Sequence, residues 1–334
     1  MYEIDFLAVG DGEKSGDAIA MRFTNPCGGR DAVVIIDGGF ADDGEALVNH
    51  VHDHYQRNDV DIVFSTHSDT DHRCGLPTVL EALNVRTLCV HRPGRHGYPN
   101  DEHADAVEEL VELAHAQRAR VIEPFTGMSA YGGALVVAGP SVAYYEQMIG
   151  EAEIKEAAAM PSISKQLAVA TRRIVRRTLD MFPTETFFDD AGGDGNPRNN
   201  ASTVIDLVID GDRMLFTSDT GVPGLTSALD YLDSIDRSRA VHMFQLPHHA
   251  SRHNLDRDTI ERVLGPPTNS VLGTAVASVS VDSSNPAPRI ANASGRRGYP
   301  VFTTIHGLCH RGGGAPPRKG WSPAAPLPPL DEDD

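Results

Sequence analysis

Four side chains able to hold a divalent cation fall within six residues, in the run His67-Ser68-Asp69-Thr70-Asp71-His72. Imidazole and carboxylate are the donors that bind Zn or Mn. The run follows Asp61-Ile62-Val63-Phe64-Ser65, a short apolar segment that reads as a strand, so the chain turns there and presents its polar side chains at one sheet end. A polar surface loop is the plain alternative. Two further strand-like segments end the same way. Leu215-Phe216-Thr217-Ser218-Asp219 ends in a carboxylate that can bridge two cations, or else cap a helix starting at Thr220. Pro247-His248-His249-Ala250-Ser251 closes another, with His253 close behind. Adjacent histidines point in different directions, so one can ligate while the other binds substrate or moves a proton. Each residue alone reads more readily as structural. Three strand ends of this kind in one chain point to a metal centre.

The elements that must position these residues alternate along the chain. Strands are predicted at 4–9, 18–24, 32–37, 61–65, 86–90, 119–123 and 133–138, with helices at 43–56, 75–84 and 101–118. After Gly139-Pro140 the rhythm breaks. Ile163, Leu167, Ala170 and Ile174 recur at helical spacing and predict a helical insertion; with the polar loop that follows, it occupies about 141–199. Arg172, Arg173, Arg176 and Arg177 at its far end read as a solvated face, or as a contact for an anionic substrate or a second copy. Strands resume at 203–209 and 213–217 around an Asp210-Gly211-Asp212 turn. Helices at 222–232 and 255–263 and strands at 241–246, 270–280 and 300–304 complete a layered α/β domain over 1–311. The Gly- and Pro-rich stretch 312–334, ending Asp-Glu-Asp-Asp, predicts a disordered acidic tail.

Composition narrows the class. With 40% hydrophobic and 23% charged residues, the 334-residue chain reads as soluble and globular, with no apolar run of membrane length and no leader-like N-terminus. Cys27, Cys74, Cys89 and Cys309 are scattered, which predicts reduced thiols, a cytoplasmic protein and no membrane partner. A net charge of −18 disfavours broad attraction to nucleic acid. An anionic substrate, nucleic acid included, then needs a local basic groove or the site's own cations.

Several short motifs recur in a definite order: Phe6-Leu7-Ala8-Val9-Gly10-Asp11-Gly12, Gly16-Asp17-Ala18-Ile19, Asp37-Gly38-Gly39, Thr66 to Gly75, Asn200-Ala201-Ser202, Thr217-Ser218-Asp219 and Pro247 to Ser251. Together they resemble the metallo-β-lactamase superfamily, and within it the branch typified by the hydrolase domain of bacterial competence DNA-uptake channels. The resemblance runs from residue 4 to about 308, is least familiar over 141–199, and is more specific for fold than for substrate. Asp69 stands where the wider superfamily has His, a change the branch shares. Ser218 and Ala250 replace glycines. No His lies between His115 and His242, so Asn199 or Asn200 takes the place of a further His ligand.

The resemblance implies an α/β, four-layer αββα sandwich with one or two divalent cations, Zn or Mn, at the edge of its sheets. It implies a first position held by His67, Asp69 and Asp219, with Asn200 as a weak addition. The second is held by Asp71, His72, Asp219 and one of the His pair. We assign His248 to the metal, and His249 with Asp71 to catalysis. Oxygen ligands in the first position shift the expected metal toward Mn. Asp71 orients the nucleophile, and the unligated His stabilises an oxyanion or protonates the leaving group. Arg73, His253, Asn254 and His306 are further candidates. The implied reaction is hydrolysis of a phosphodiester; alternatives are hydrolysis of a carboxylic ester, lactone or peptide/amide bond. A third reading is a metal-stabilised, non-catalytic binding or regulatory module. The insertion would then serve as a surface for a partner protein or a second copy.

Overall fold

Side-chain alternation decides how the first strand packs. Tyr2, Ile4 and Phe6 point into one apolar layer, while Glu3 and Asp5 point to the other face of the sheet. The computed structural model describes residues 1–10, 12–97, 102–159, 196–237 and 240–332, with the backbone alone over 153–159. Its first half runs β1 (Tyr2–Phe6), β2 (Ala18–Phe23), β3 (Ala32–Gly38), α1 (Asp43–Tyr55), β4 (Asp59–Val60), β5 (Ile62–Ser65), α2 (Thr70–Arg73), α3 (Leu76–Ala82), β6 (Asn84–Val85), β7 (Thr87–Val90), α4 (Glu102–Ala116) and β8 (Arg120–Ile122). The second half runs β9 (Ser129–Ala130), β10 (Leu135–Gly139), α5 (Val142–Ala159), α6 (Pro197–Asn200), β11 (Val204–Ile209), β12 (Asp212–Phe216), α7 (Val222–Ser234), β13 (Met243–Gln245), α8 (Pro247–Ala250), α9 (Arg257–Leu264), β14 (Thr274–Ala277), α10 (Pro288–Arg296), β15 (Val301–Thr303) and β16 (Leu308–Gly312).

Two seven-stranded sheets result, ordered β16-β1-β2-β3-β5-β7-β8 and β15-β14-β13-β12-β11-β10-β9. Each is antiparallel on one side and parallel on the other: β3-β5-β7-β8 run parallel in the first, β12-β13-β14-β15 in the second. Three apolar layers hold them. Phe6, Ile19, Phe64, Leu207, Phe216 and Met243 fill the space between the sheets. Val33, Ile35 and Val63 of the first sheet meet Leu47, Leu76 and Leu110 of α1, α3 and α4. Leu215, Phe244 and Ala275 of the second meet Leu225, Ile260 and Ile290 of α7, α9 and α10. This is the expected αββα sandwich. In open α/β sheets, ligands bind beyond the carboxyl ends of parallel strands. The predicted ligand runs follow β5, β12 and β13, which are such ends.

The tail departs from expectation. Read from composition as disordered, residues 312–332 lie against the domain. Arg318 reaches Glu3 and Asp5, donating from Nε to Glu3 at 3.1 Å and from its guanidinium to Asp5 at 2.8 Å. The Leu327 amide donates to the Val301 carbonyl at 2.8 Å, and Leu327 and Leu330 pack on the outer layer of the second sheet. Arg22 and His50 already contact these two buried carboxylates of β1, and the tail adds Arg318 to them. The arginine cluster 172–177 and the Ile163–Ile174 repeat lie outside the described residues; α5 is the described part of the insertion. No helix among the described residues is long and apolar enough to cross a membrane.

Candidate metal centre

The turns after β5, β12 and β13 bring the site together, and the last two carry local strain. After β12 the chain passes through Ser218 at φ 46°. After β13 it passes through His248, His249 and Ala250 at 49°, 57° and 64°. Asp37, at the end of β3, sits at 58°. Left-handed angles cost a non-glycine residue roughly 1–2 kcal/mol, so such positions persist only where surrounding contacts hold them.

Donor atoms of Asp71, His72, Asp219 and His249 all lie within 4.8 Å of one another. His72 Nε2 is 3.4 Å from Asp219 Oδ1 and 3.8 Å from Asp71 Oδ2. His249 Nε2 is 3.9 Å and 3.7 Å from the same two oxygens. The other oxygen of Asp219 faces a different set. His67 Nε2 lies 3.8 Å from it, His248 Nε2 3.5 Å, and the Asn199 amide donates to it at 3.4 Å.

Bonding of the buried atoms tests whether a cation fits. Nε2 of His67, His72 and His249 and Oδ1 of Asp219 are buried with no hydrogen-bond partner. An unsatisfied buried group costs roughly 1–3 kcal/mol. Three of these atoms, on His72, His249 and Asp219, belong to the four-donor group, and such a set suits a divalent cation. The electrostatics agree. Burial opposes charge on His72, yet Asp219 and Asp71 outweigh it and hold its pKa well above the ordinary value. Burial likewise opposes charge on His249, and Asp219 and Asp71 raise it. Burial alone would raise Asp71, but His72 and His249 bring it down to about 2. The group draws positive charge inward, and a divalent cation would provide it.

Hydrogen bonds behind the rings fix which nitrogen faces inward. Thr66 donates its hydroxyl proton to Asp37 Oδ2 at 2.6 Å and its amide proton to Asp37 Oδ1 at 2.8 Å. With that one proton given, Thr66 Oγ accepts from Ser218 Oγ at 2.7 Å and from His67 Nδ1 at 3.1 Å. His72 Nδ1 donates to Asp37 Oδ2 at 2.8 Å. Asn254 donates from Nδ2 to the carbonyls of Asp219 and Thr220, so its Oδ1 accepts from His248 Nδ1 at 3.2 Å. All three imidazoles therefore carry hydrogen on Nδ1 and turn Nε2 toward Asp219. Asp37, His67 and His72 also form a tight group, but these bonds occupy it as support. Gln245 joins the two halves, accepting from the amides of Thr217 and Ser218 and donating to Asp17 Oδ2 at 2.9 Å. Burial holds the Asp17 pKa above the usual carboxylate range.

Not every expected residue is in place. His249, not His248, completes the four-donor group. Three successive left-handed residues turn the His249 ring inward and leave His248 at the rim, with its side chain 23% exposed. Asp69 stands in neither tight group and instead accepts from Asn196 Nδ2 at 3.1 Å. Asn200 Oδ1 is buried without a hydrogen-bond partner, also outside the group. His253 pairs with Arg252 outside the group, and His306 is exposed. Arg73 braces the Ser68 carbonyl at 2.7 Å, with His103 beside the Ser68 hydroxyl. Asn199, expected to stand in for a His ligand, instead donates its amide to Asp219; Asp37 and Thr66 entered the sequence reading only as motif members, and Asn196 and Gln245 were not singled out. Asp37 had a usable signal, since it ends a parallel strand just as the ligand runs do.

No curated protein matches the chain. Among solved structures it is similar to a putative metallo-beta-lactamase from Thermotoga maritima, at 12% identity over 71% of this chain and 92% of that one, TM-score 0.37. It is also similar to a diphosphatase from the PhnP family, at 9% identity over 91% and 87%, TM-score 0.40. An archaeal metallo-beta-lactamase superfamily protein from Sulfolobus tokodaii aligns at 15% identity over 72% and 78%, TM-score 0.32. A family model, the metallo-beta-lactamase superfamily, matches residues 27–269, well over half the chain. The chain belongs to the metallo-beta-lactamase superfamily.

Proposed function

We propose that this protein is a hydrolase that holds a divalent cation on Asp71, His72, Asp219 and His249 and cleaves a phosphodiester. One observation carries the metal: four donor side chains converge, with the Nε2 atoms of His72 and His249 and the Asp219 Oδ1 atom buried and unpartnered. Two imidazoles and two carboxylates suit Zn and Mn alike. When bound, such a cation acidifies water and polarises the oxygen of the bond to be broken. The protein's own groups do the rest. Asp219 anchors the centre from the second sheet. Asp71, ionised and with its side chain 27% exposed, accepts a hydrogen bond from the O–H of the attacking oxygen and orients it. His248, outside the four-donor group and steadied by Asn254, is placed to protonate the leaving oxygen.

The phosphodiester reading is supported by the motif order and by Asp69, read here as marks of the competence-channel branch. Basic side chains beside the ligand loops support it too: Arg73 and His103 at Ser68, Arg252 and His253 after His249. On a chain of net charge −18, an anionic substrate needs such local positive charge. The deciding assay compares a bis-aryl phosphodiester with aryl carboxylic esters, with Mn or Zn added. Metal-dependent turnover of the phosphodiester alone is expected. Turnover of the esters alone would move the protein to the carboxylic class. Loss of all turnover in the metal-loaded protein would leave the binding-module reading.

A further inference from the structure

The two oxygens of Asp219 are served by unlike partners. Oδ1 faces the three other members of the four-donor group, whereas Oδ2 accepts a hydrogen bond from Asn199 Nδ2. That amide belongs to a relay whose direction is fixed at its root. The Arg198 backbone N–H can only donate, and it donates to Asn196 Oδ1 at 3.0 Å. Asn196 must then turn Nδ2 outward, and it donates to Asp69 Oδ2 at 3.1 Å and to Asn199 Oδ1 at 2.7 Å. With its oxygen so engaged, Asn199 turns its own NH2 toward Asp219 Oδ2. Both carboxylates that a first metal position would use thus face partly positive amide hydrogens, which repel a cation, and an amide N–H offers it no lone pair. His67 and His248 flank the same oxygen, but neither joins Asp219 in a tight donor group.

We infer that the resting protein holds a single divalent cation, in the Asp71–His72–Asp219–His249 group, and that Asn196 and Asn199 close the place a second would take. This rests on the metallohydrolase reading above. His67, released from ligation, keeps its Nε2 for the substrate. Asp69 is a positioning residue, tying the His67–His72 loop to α6.

The test is to count ions by native mass spectrometry after saturating the whole chain with Mn alone and then with Zn alone, and to record the Mn paramagnetic resonance spectrum. One ion per chain and the six-line spectrum of an isolated Mn are expected. His67→Ala and Asp69→Ala should keep the count at one, and His72→Ala should abolish it. Asn199→His, which exchanges the amide for an imidazole, should raise the count to two and give an exchange-coupled spectrum. Circular dichroism identifies any variant that misfolds; the wild-type count then decides alone. Two ions in the wild type, or loss of the ion in a folded His67→Ala protein, overturns this inference and leaves the metallohydrolase reading standing. No ion at all overturns both.

Discussion

His72 Nδ1 donates to Asp37 Oδ2 at 2.8 Å, and both side chains are fully buried. Asp37 touches no other donor of the four-residue group, yet it sets the tautomer and direction of one. Asp37→Asn should weaken cation affinity about 10- to 100-fold, the usual effect of losing such a support. Competition against a chelating dye measures it, with circular dichroism unchanged.

Asp219→Asn should be more severe than Asp71→Asn. Asp219 is buried between two sets of imidazoles, and burial raises its pKa less than His72, His248 and His249 lower it, leaving it well below the ordinary value. Loss of that charge leaves several imidazoles facing one another. Bound metal should vanish with Asp219→Asn and survive at reduced affinity with Asp71→Asn, as read by elemental analysis after gel filtration.

Cation binding should release protons. The pKa values of His72 and His249 are raised in the metal-free protein, so both rings hold protons that a cation must displace. Affinity should therefore rise with pH up to the raised imidazole values and fall as the solution is acidified. Calorimetry in two buffers of unlike ionisation enthalpy should give different apparent heats. Identical heats would show that no proton leaves.

Neither position where this chain lacks a glycine should gain stability from one. Ala250→Gly relieves a left-handed angle worth roughly 1–2 kcal/mol, less about 0.5–1 kcal/mol for glycine's freedom in the unfolded chain. The Ala250 methyl is fully buried in the outer apolar layer, and its loss costs about 0.8 kcal/mol, so no net gain is expected in urea unfolding. Ser218→Gly relieves similar strain but removes the 2.7 Å bond to Thr66, worth about 0.5–1.5 kcal/mol, so it should bring no gain.

Arg318→Ala should destabilise by about 1.5–3 kcal/mol, because it removes charge-assisted hydrogen bonds to buried Asp5 and Glu3, while Arg22 still pairs with Glu3 and His50 and Tyr55 with Asp5. Burial alone would raise the Asp5 pKa, but His50 and Arg318 outweigh it and hold it below the usual range. The stability this provides is present above the ordinary carboxylate value and is lost as pH falls below it. Acid unfolding of wild type and variant should therefore converge at low pH.

The sandwich and its ligand runs were legible because each run follows an apolar strand, and strand periodicity survives in a single sequence. The choice between His248 and His249 was not, since it turns on backbone angles that no residue type announces. Nor was the role of Asn199, which depends on an amide direction set by the Arg198 backbone. The packed tail escaped because the partners of Arg318 lie 313 and 315 residues away. Composition near Gly312 carries no trace of them.

The ligand group draws Asp71 and His72 from one sheet's loop and Asp219 and His249 from the other's. A nascent chain that has reached only the first sheet owns half a chelate. It must wait until residue 249 has left the ribosome and the second sheet has docked before it can capture metal. Metal acquisition is therefore a report on completed assembly: an amino-terminal half expressed alone should stay metal-free, and the cation, once seated, rivets together two halves that the chain makes at different times.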